Sequence, residues 1–420
     1  FTRDWIKPQL PLTLVVAVPD DSFGDAPPSG GAADEWAARF RELRQAQGKL
    51  LYDLGMAAAD EREFALAYQL VHATLREDPA HEAARRLLGY KQHEGEWLTQ
   101  YEFNKAKSNQ VWHPQFGWLS RKQVARYEAG ERFYKGRWIS ADDDARLHAD
   151  MERGWEIATE HFQVRTNHSL EEGAELAARL EELYGVWRQI FVRYVFTDEQ
   201  LARSFRDGTP LAHRSRLHQV TFFRGRDEYR AALARESPSI GITTGYYLPS
   251  ARTAYFFAGP EREEANLCHE ATHQLFYEPK LVGQAGSDAN FWIVEGIACF
   301  MESYQRGNHF ALLGGADALR LKNARNRLLR DEFYIGLADL CRLGMKAFQQ
   351  QEDLKAVYSQ AAGMTYFLMF ADERRCRKAL GDYLSAVYTN RDRPSTLSEL
   401  TGVSYDKLDE QYQRFIRNLP

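Results

Sequence analysis

The sequence predicts an α+β fold, a small mixed sheet followed by a helical half, with a helical and tryptophan-rich region in front of them. Three observations carry this reading. Apolar residues recur at three- and four-residue steps from Ala32 to about Tyr90; short apolar runs bounded by turn residues follow Thr159; and after Pro260 the pattern is helical nearly to the end. With 420 residues, 44% of them hydrophobic and 13% aromatic, the chain can build two or three domain cores, which excludes disorder throughout.

Taken in order, residues 1–31 read as a peripheral arm, one strand candidate from Leu12 to Val18 and then a turn composition of Asp20, Asp21, Pro27, Pro28, Gly30 and Gly31. Residues 32–150 form a second region. Its first part is amphipathic and helical, with Trp36, Phe40, Leu43, Leu50, Leu51 and Leu54, then Phe64, Ala67, Tyr68, Val71 and Leu75. Asp78-Pro79 ahead of Ala83, Ala84, Leu87 and Leu88 resembles the end of a tetratricopeptide-type hairpin, with Pro opening the next helix; a solenoid needs several copies and one is present. Its second part is rich in aromatics and glycine. Gly95-Glu96-Trp97-Leu98 and Gly136-Arg137-Trp138-Ile139, preceded by Tyr90 and Tyr134, predict a weak repeat of small hairpins that pack tryptophan, and no chemistry is assigned to them.

Residues 151–420 form the third region. Strand His161–Thr166, helix Leu170–Phe191, strand Gln219–Phe223, helix Glu228–Arg235 and a hairpin of Thr244–Leu248 with Thr253–Phe257, turned by Pro249 and Ser250, precede the helical half. Leu397–Leu400 and Leu408–Phe415 close it.

Composition removes several functions. Lys+Arg 54 against Asp+Glu 59 gives a net charge of -5, so there is no overall positive field for a nucleic-acid backbone. The longest apolar runs, such as Leu14–Val18 and Tyr366–Ala371, fall far short of the roughly 20 residues of a membrane-spanning helix. Cys268, Cys299, Cys341 and Cys376 are too few for a disulfide scaffold, contain no C-x-x-C pair, and leave their redox state open. The chain starts at Phe1 without a basic-then-apolar leader, which fits a signal peptide already removed.

The chemistry concentrates in Leu267-Cys268-His269-Glu270-Ala271-Thr272-His273-Gln274, an H-E-x-x-H motif in a stretch free of Pro and Gly. On a helix, residues four apart share a face, so His269 and His273 can offer two imidazoles to one Zn2+ while Glu270 flanks the open position as general base. A third ligand is needed. Glu295, 22 residues beyond His273 in the helical pattern Phe291–Glu302, supplies it if the second helix runs antiparallel to the first. The bland alternative is a chance motif on a surface helix with an ordinary ion-pairing Glu295. A cysteine ligand, Cys268 or Cys299, is a further alternative. His213 and His218, in an Arg-rich stretch with Arg214 and Arg216, read as solvated or structural, because a five-residue spacing does not align two rings on one helix face. Arg320–Arg330 reads as a basic, solvated helix face, with docking of an acidic partner as the second option.

These residues resemble the gluzincin metallopeptidases, whose second ligand helix reads Trp-x-x-Glu-Gly-x-Ala, as Trp292–Ala298 does. The resemblance covers about Thr159 to Phe415 in general order, marks residues 151–420 as a gluzincin-like domain, and makes the whole chain look like a bacterial family of unknown function built on that core. It implies that Glu302, seven residues past Glu295, supports a His ligand. It also implies that Tyr358, 63 residues past Glu295, donates to the developing oxyanion, with Tyr366, His309 and Tyr304 as competitors. The implied activity is zinc-dependent peptide-bond hydrolysis: a metal-activated water whose pKa falls toward about 7, with Glu270 taking its proton and passing it to the leaving amine. The strand Thr253–Phe257 would then offer a sheet edge on which a peptide or protein substrate binds by strand addition. No Gly-x-Met-Glu-Asn-like segment lies on the 244–257 hairpin, which favours endopeptidase over aminopeptidase action. The resemblance leans toward export, to periplasm or exterior. The alternative from another class is a non-catalytic zinc-containing peptide-binding or interaction scaffold; an intact Glu270 argues against it, since binding alone needs no general base.

Overall fold

The computed structural model describes residues 12–18, 32–211, 216–236, 240–260, 263–280, 284–371 and 375–419. Of the expected arm, only its strand falls within them; Asp20, Asp21, Pro27, Pro28, Gly30 and Gly31 lie outside, as do His213 and Arg214. The fold is α+β, and two compact units divide it: Ala17–Glu263, and Glu264–Pro420 together with the residues up to Val16. The division thus falls inside the stretch 151–420. The cause is packing: one core joins the N-terminal helices to the helices that follow the first sheet strands, with Phe64, Val71 and Leu75 buried beside Val192, Leu201 and Phe205.

In the first unit, α1 (Ala32–Asp60) and α2 (Phe64–Glu77) pack as a hairpin, and α3 (Glu82–Leu88) follows. Pro79 does not open α3. It sits in a turn, and the His81 side chain caps the helix by accepting from the Ala84 amide. The apolar stripe of α1 is largely exposed: Trp36, Phe40, Leu43, Leu50 and Leu54 face out, while Gly48, Gly55, Ala58 and Ala59 are buried. Small residues let α2 approach too closely for the large ones to share that face.

Three hairpins follow: β2–β3 (Lys91–His93, Glu96–Leu98), β4–β5 (Gln110–His113, Gly117–Ser120) and β6–β7 (Glu131–Tyr134, Arg137–Ser140), the N-terminal strand Thr13–Ala17 being β1. In the outer two, positive φ at Glu94 and Gly95, and at Lys135 and Gly136, gives the two-residue turn that matches strand twist. A helix follows each hairpin: α4 (Gln100–Lys107), α5 (Val124–Glu128) and α6 (Ala141–Leu147). Aromatic rings fill the junctions, Trp112 edge-on to Trp118 at 5.8 Å and Tyr127 edge-on to Trp138 at 5.9 Å.

The main sheet has the order β11-β12-β10-β9-β8, from β8 (Trp155–Ala158), β9 (Phe162–Thr166), β10 (His218–Phe223), β11 (Tyr246–Leu248) and β12 (Thr253–Phe257). The central three are parallel and the outer two antiparallel to their neighbours, so the sheet is mixed. Register puts Val164, Val220 and Ala254 in one buried row. The sheet is covered by α7 (Leu170–Ile190), whose first turn Ser169 caps; α8 (Val192–Val195), α9 (Asp198–Asp207) and α10 (Arg226–Leu233) complete the unit. The expectation that Thr253–Phe257 is a sheet edge is corrected here: β10 pairs one side and β11 the other at Thr253–Tyr255, so the edges are β8 and β11. His218 is a buried sheet residue tilted against Phe162, as a structural histidine should be.

The second unit is helical, with a small sheet of order β1-β14-β13 from β13 (Gln305–Arg306) and β14 (Phe310–Gly314). Its helices are α11 (Glu264–Tyr277), α12 (Phe291–Met301), α13 (Leu319–Leu329), α14 (Leu337–Leu340), α15 (Met345–Gln349), α16 (Leu354–Phe370), α17 (Arg375–Tyr388), α18 (Thr396–Thr401) and α19 (Tyr405–Arg417). Every residue of α12 is buried. Its start is fixed by Asn290, which donates to Asp392 at 2.7 Å and accepts from the Tyr383 hydroxyl at 2.6 Å. Gly296 brings α12 onto α16: a Cβ there would stand 2.5 Å from Thr365 Oγ1 and 2.7 Å from the Ala361 carbonyl oxygen. Among the described residues, no helix is long and apolar enough to cross a membrane.

Candidate metal centre

Two of the helices carry the centre. On α11 the four-residue spacing stacks His269 and His273, their rings edge-on at 4.8 Å between centroids. On the packed α12, Glu295 sits at mid-helix, 7% exposed, with its carboxylate turned to both rings. Three donor atoms converge: His269 Nε2 lies 3.1 Å from His273 Nε2 and 3.4 Å from Glu295 Oε2, and His273 Nε2 lies 3.7 Å from that same oxygen. Donors bound tetrahedrally at about 2.0–2.2 Å stand about 3.3–3.6 Å apart, the edge being 1.63 times the bond. The three measured edges bracket that range, so the set fits one zinc-sized cation. Two imidazoles and a carboxylate are also the donor types that such an ion takes.

The support around the centre is unequal. Glu302, two turns beyond Glu295, meets His269 Nδ1 at 2.8 Å. A proton on Nδ1 for that bond leaves the Nε2 lone pair aimed at the centre. Arg320, in the first turn of α13, forks onto Glu302, its Nε 2.7 Å from Oε2 and a terminal nitrogen 2.7 Å from Oε1. His273 has no such support, for its buried Nδ1 finds no hydrogen-bond partner among the described residues. Cys299 is grouped with His269 and Glu302 rather than with His273 and Glu295; like the other three cysteines it is buried and in no disulfide.

Electrostatics follow from this crowding. Burial lowers the pKa of His269, but hydrogen bonds to Cys299, Glu295 and Glu302 outweigh it and hold the group well above the usual histidine value. Burial raises Glu295, but the charges and hydrogen bonds of His273 and His269 win and hold it well below the carboxylate range. Glu302 is likewise lowered, burial being outweighed by bonds from His269 and Arg320. Without a cation, the carboxylates favour a proton where the ion would sit. The same positive charge is what an ion would supply.

Glu270 is half-buried on α11, and its charge acts on both His269 and Tyr358. Tyr358, on the first turns of α16, packs edge-on to Phe348, and the charge of Glu295 acts on its hydroxyl. Its pKa is strongly raised, by burial first and then by the charges of Glu295 and Cys299, so the phenol keeps its proton. Tyr366 is packed instead on Phe300 and Phe370; Tyr304 follows α12, and His309 sits in the β13–β14 turn. The structure therefore gathers His269, His273, Glu295, Glu302 and Tyr358 in one place.

Sequence reasoning missed two neighbours. Arg320 was read as part of a solvated basic face, whereas it turns inward onto Glu302. Tyr277, four residues past His273 on the same face of α11, is pushed up to about 12 by burial and by the charge of Glu295. An i, i+4, i+8 reading of His269, His273 and Tyr277 was available as its signal.

Residues 263–391 match a protein family described as a protein of unknown function, DUF1570. The match holds the whole centre, from His269 to Tyr358, and covers less than half of the chain. No curated protein matches the sequence.

Proposed function

We propose that this protein is a zinc-dependent peptide-bond hydrolase of gluzincin type, acting as an endopeptidase on peptide or protein substrates. The observation that carries the reading is the convergence of His269 Nε2, His273 Nε2 and Glu295 Oε2 at tetrahedral-edge distances, with Glu270 on the same helix. Zinc bound there supplies Lewis acidity to the substrate carbonyl and acidifies water. Glu270 accepts the proton from the attacking water and returns it to the leaving amine. Tyr358 keeps its phenolic proton and donates a hydrogen bond that strengthens as the carbonyl oxygen gains charge. Glu302 holds the His269 ring through Nδ1.

The test is metal analysis of the purified chain together with a peptide-library digest of wild type and Glu270→Gln. About one zinc per chain, and cleavage that is lost by at least about a hundredfold in the variant, is the expected result. Stoichiometric zinc with no library peptide cut would favour the binding scaffold instead.

A further inference from the structure

We infer that Arg320 is a positioning residue for the metal centre, its guanidinium fork locking Glu302 so that His269 keeps the ring orientation and tautomer in which Nε2 faces the ion. This role rests on the zinc reading above.

Three features point to it. The fork is complete: each Glu302 oxygen receives one Arg320 nitrogen at 2.7 Å, while Oε1 also takes His269 Nδ1 at 2.8 Å, so the carboxylate plane is fixed by contacts on both sides. Such bidentate pairing sets geometry in a way a lysine point charge cannot. The second feature is placement. Arg320 occupies the first turn of an eleven-residue helix, where the macrodipole disfavours a cation, and that turn carries no acidic residue to offset it. The local preference is overridden by Glu302.

The third feature is the other donor group. His269, Cys299 and Glu302 also come within metal-ligand reach of one another, and Glu302 meets the ring at Nδ1. Arg320 already places a cation on Glu302 there, so an ion on that side would meet its charge and compete for His269. The guanidinium thus favours metal binding through His269 Nε2. Because His273 Nδ1 has no hydrogen-bond partner among the described residues, His269 is the ring of the pair that the Arg320–Glu302 contact holds.

The experiment measures zinc affinity of the metal-free full chain by competition with a chromophoric chelator, and the visible spectrum of the cobalt-substituted chain. Wild type, Arg320→Met, Arg320→Lys, Glu302→Gln and the Arg320→Met/Glu302→Gln double variant are compared. Loss of a supporting partner costs about 10–100-fold in metal affinity. Arg320→Met should weaken zinc by about tenfold or more and shift the cobalt bands, Arg320→Lys should fall between it and wild type, and Arg320→Met should add little once Glu302 is Gln. Zinc affinity within about twofold of wild type and an unchanged cobalt spectrum in Arg320→Met would overturn the role. If Arg320→Met does not fold, Arg320→Lys decides, and wild-type affinity and spectrum there overturn it. A wild-type chain that takes up no zinc refutes the metal centre itself, a failure seen before any variant is compared.

Discussion

Replacing Gly296 by alanine tests the packing that delivers Glu295. The added Cβ would lie 2.5 Å from Thr365 Oγ1 and 2.7 Å from the Ala361 carbonyl oxygen. Neither obstacle can step aside cheaply, since Ala361 O is helix backbone and Thr365 Oγ1 already donates to it at 2.9 Å. Ordinary carbon–oxygen contact needs about 3.3 Å or more, so α12 and α16 must separate by roughly half an ångström or more. Overpacking of this kind costs about 1–3 kcal/mol, while alanine in place of glycine inside a helix returns up to about 1 kcal/mol. The clash wins. The expected net loss is up to about 2 kcal/mol, and because Glu295 neighbours the substitution, zinc affinity falls with it. Urea unfolding of the metal-free chain, followed in the transition that includes α12, measures the first, and chelator competition measures the second. A Gly296→Ala chain that gains about 1 kcal/mol and binds zinc unchanged would show that the helices are not in the contact described.

In the first unit, Glu181 accepts from the His161 amide at 2.6 Å and pairs with its ring at 2.8 Å. Burial alone would raise its pKa, yet the His161 contacts hold it below the ordinary carboxylate value. A depressed carboxyl stabilises the fold above its unfolded pKa and loses that contribution as pH falls through the folded one. Glu181→Gln should therefore flatten the acid limb of the urea-midpoint profile below about pH 4.5; an unchanged limb would refute the assignment. Gly136 has φ +85 with open space where a Cβ would go, so Gly136→Ala should cost about 1–2 kcal/mol through backbone strain alone. Zinc binding, measured by the same competition, should be unmoved. In metal-free protein, His269 is held high and Glu295 low, so zinc must displace a proton. Calorimetry in buffers of differing ionisation heat should record proton release on zinc binding at pH 7, and zero release would contradict the protonated centre.

How much of this was legible in the sequence depended on how local each signal was. His269 and His273 were readable because a helix repeats its face every three to four residues, Glu295 because one more helix sufficed to bring it near, and Glu302 through the resemblance, which its two-turn spacing from Glu295 suits. Tyr358 came from resemblance; no periodicity links it to the other helices, and only the α12–α16 contact does. Arg320 was hidden inside a basic run, where charge count outweighs position, although a cation in a helix's first turn is itself unusual. The strand Trp155–Ala158 went unread at four residues long, and the middle hairpin went unread because it lacks the Gly-x-Trp spacing of its neighbours. On α1, periodicity identified a helix but not which side is buried. The glycines and alanines facing α2 decided that, and hydrophobic pattern alone ranks them last.

The account stands on one cation held by three side chains, and anomalous diffraction at the zinc edge from zinc-loaded crystals examines that directly. A single peak about 2.0–2.2 Å from His269 Nε2, His273 Nε2 and a Glu295 carboxylate oxygen is the predicted result. A map with no peak among these atoms, or with the peak elsewhere in the chain, would contradict it.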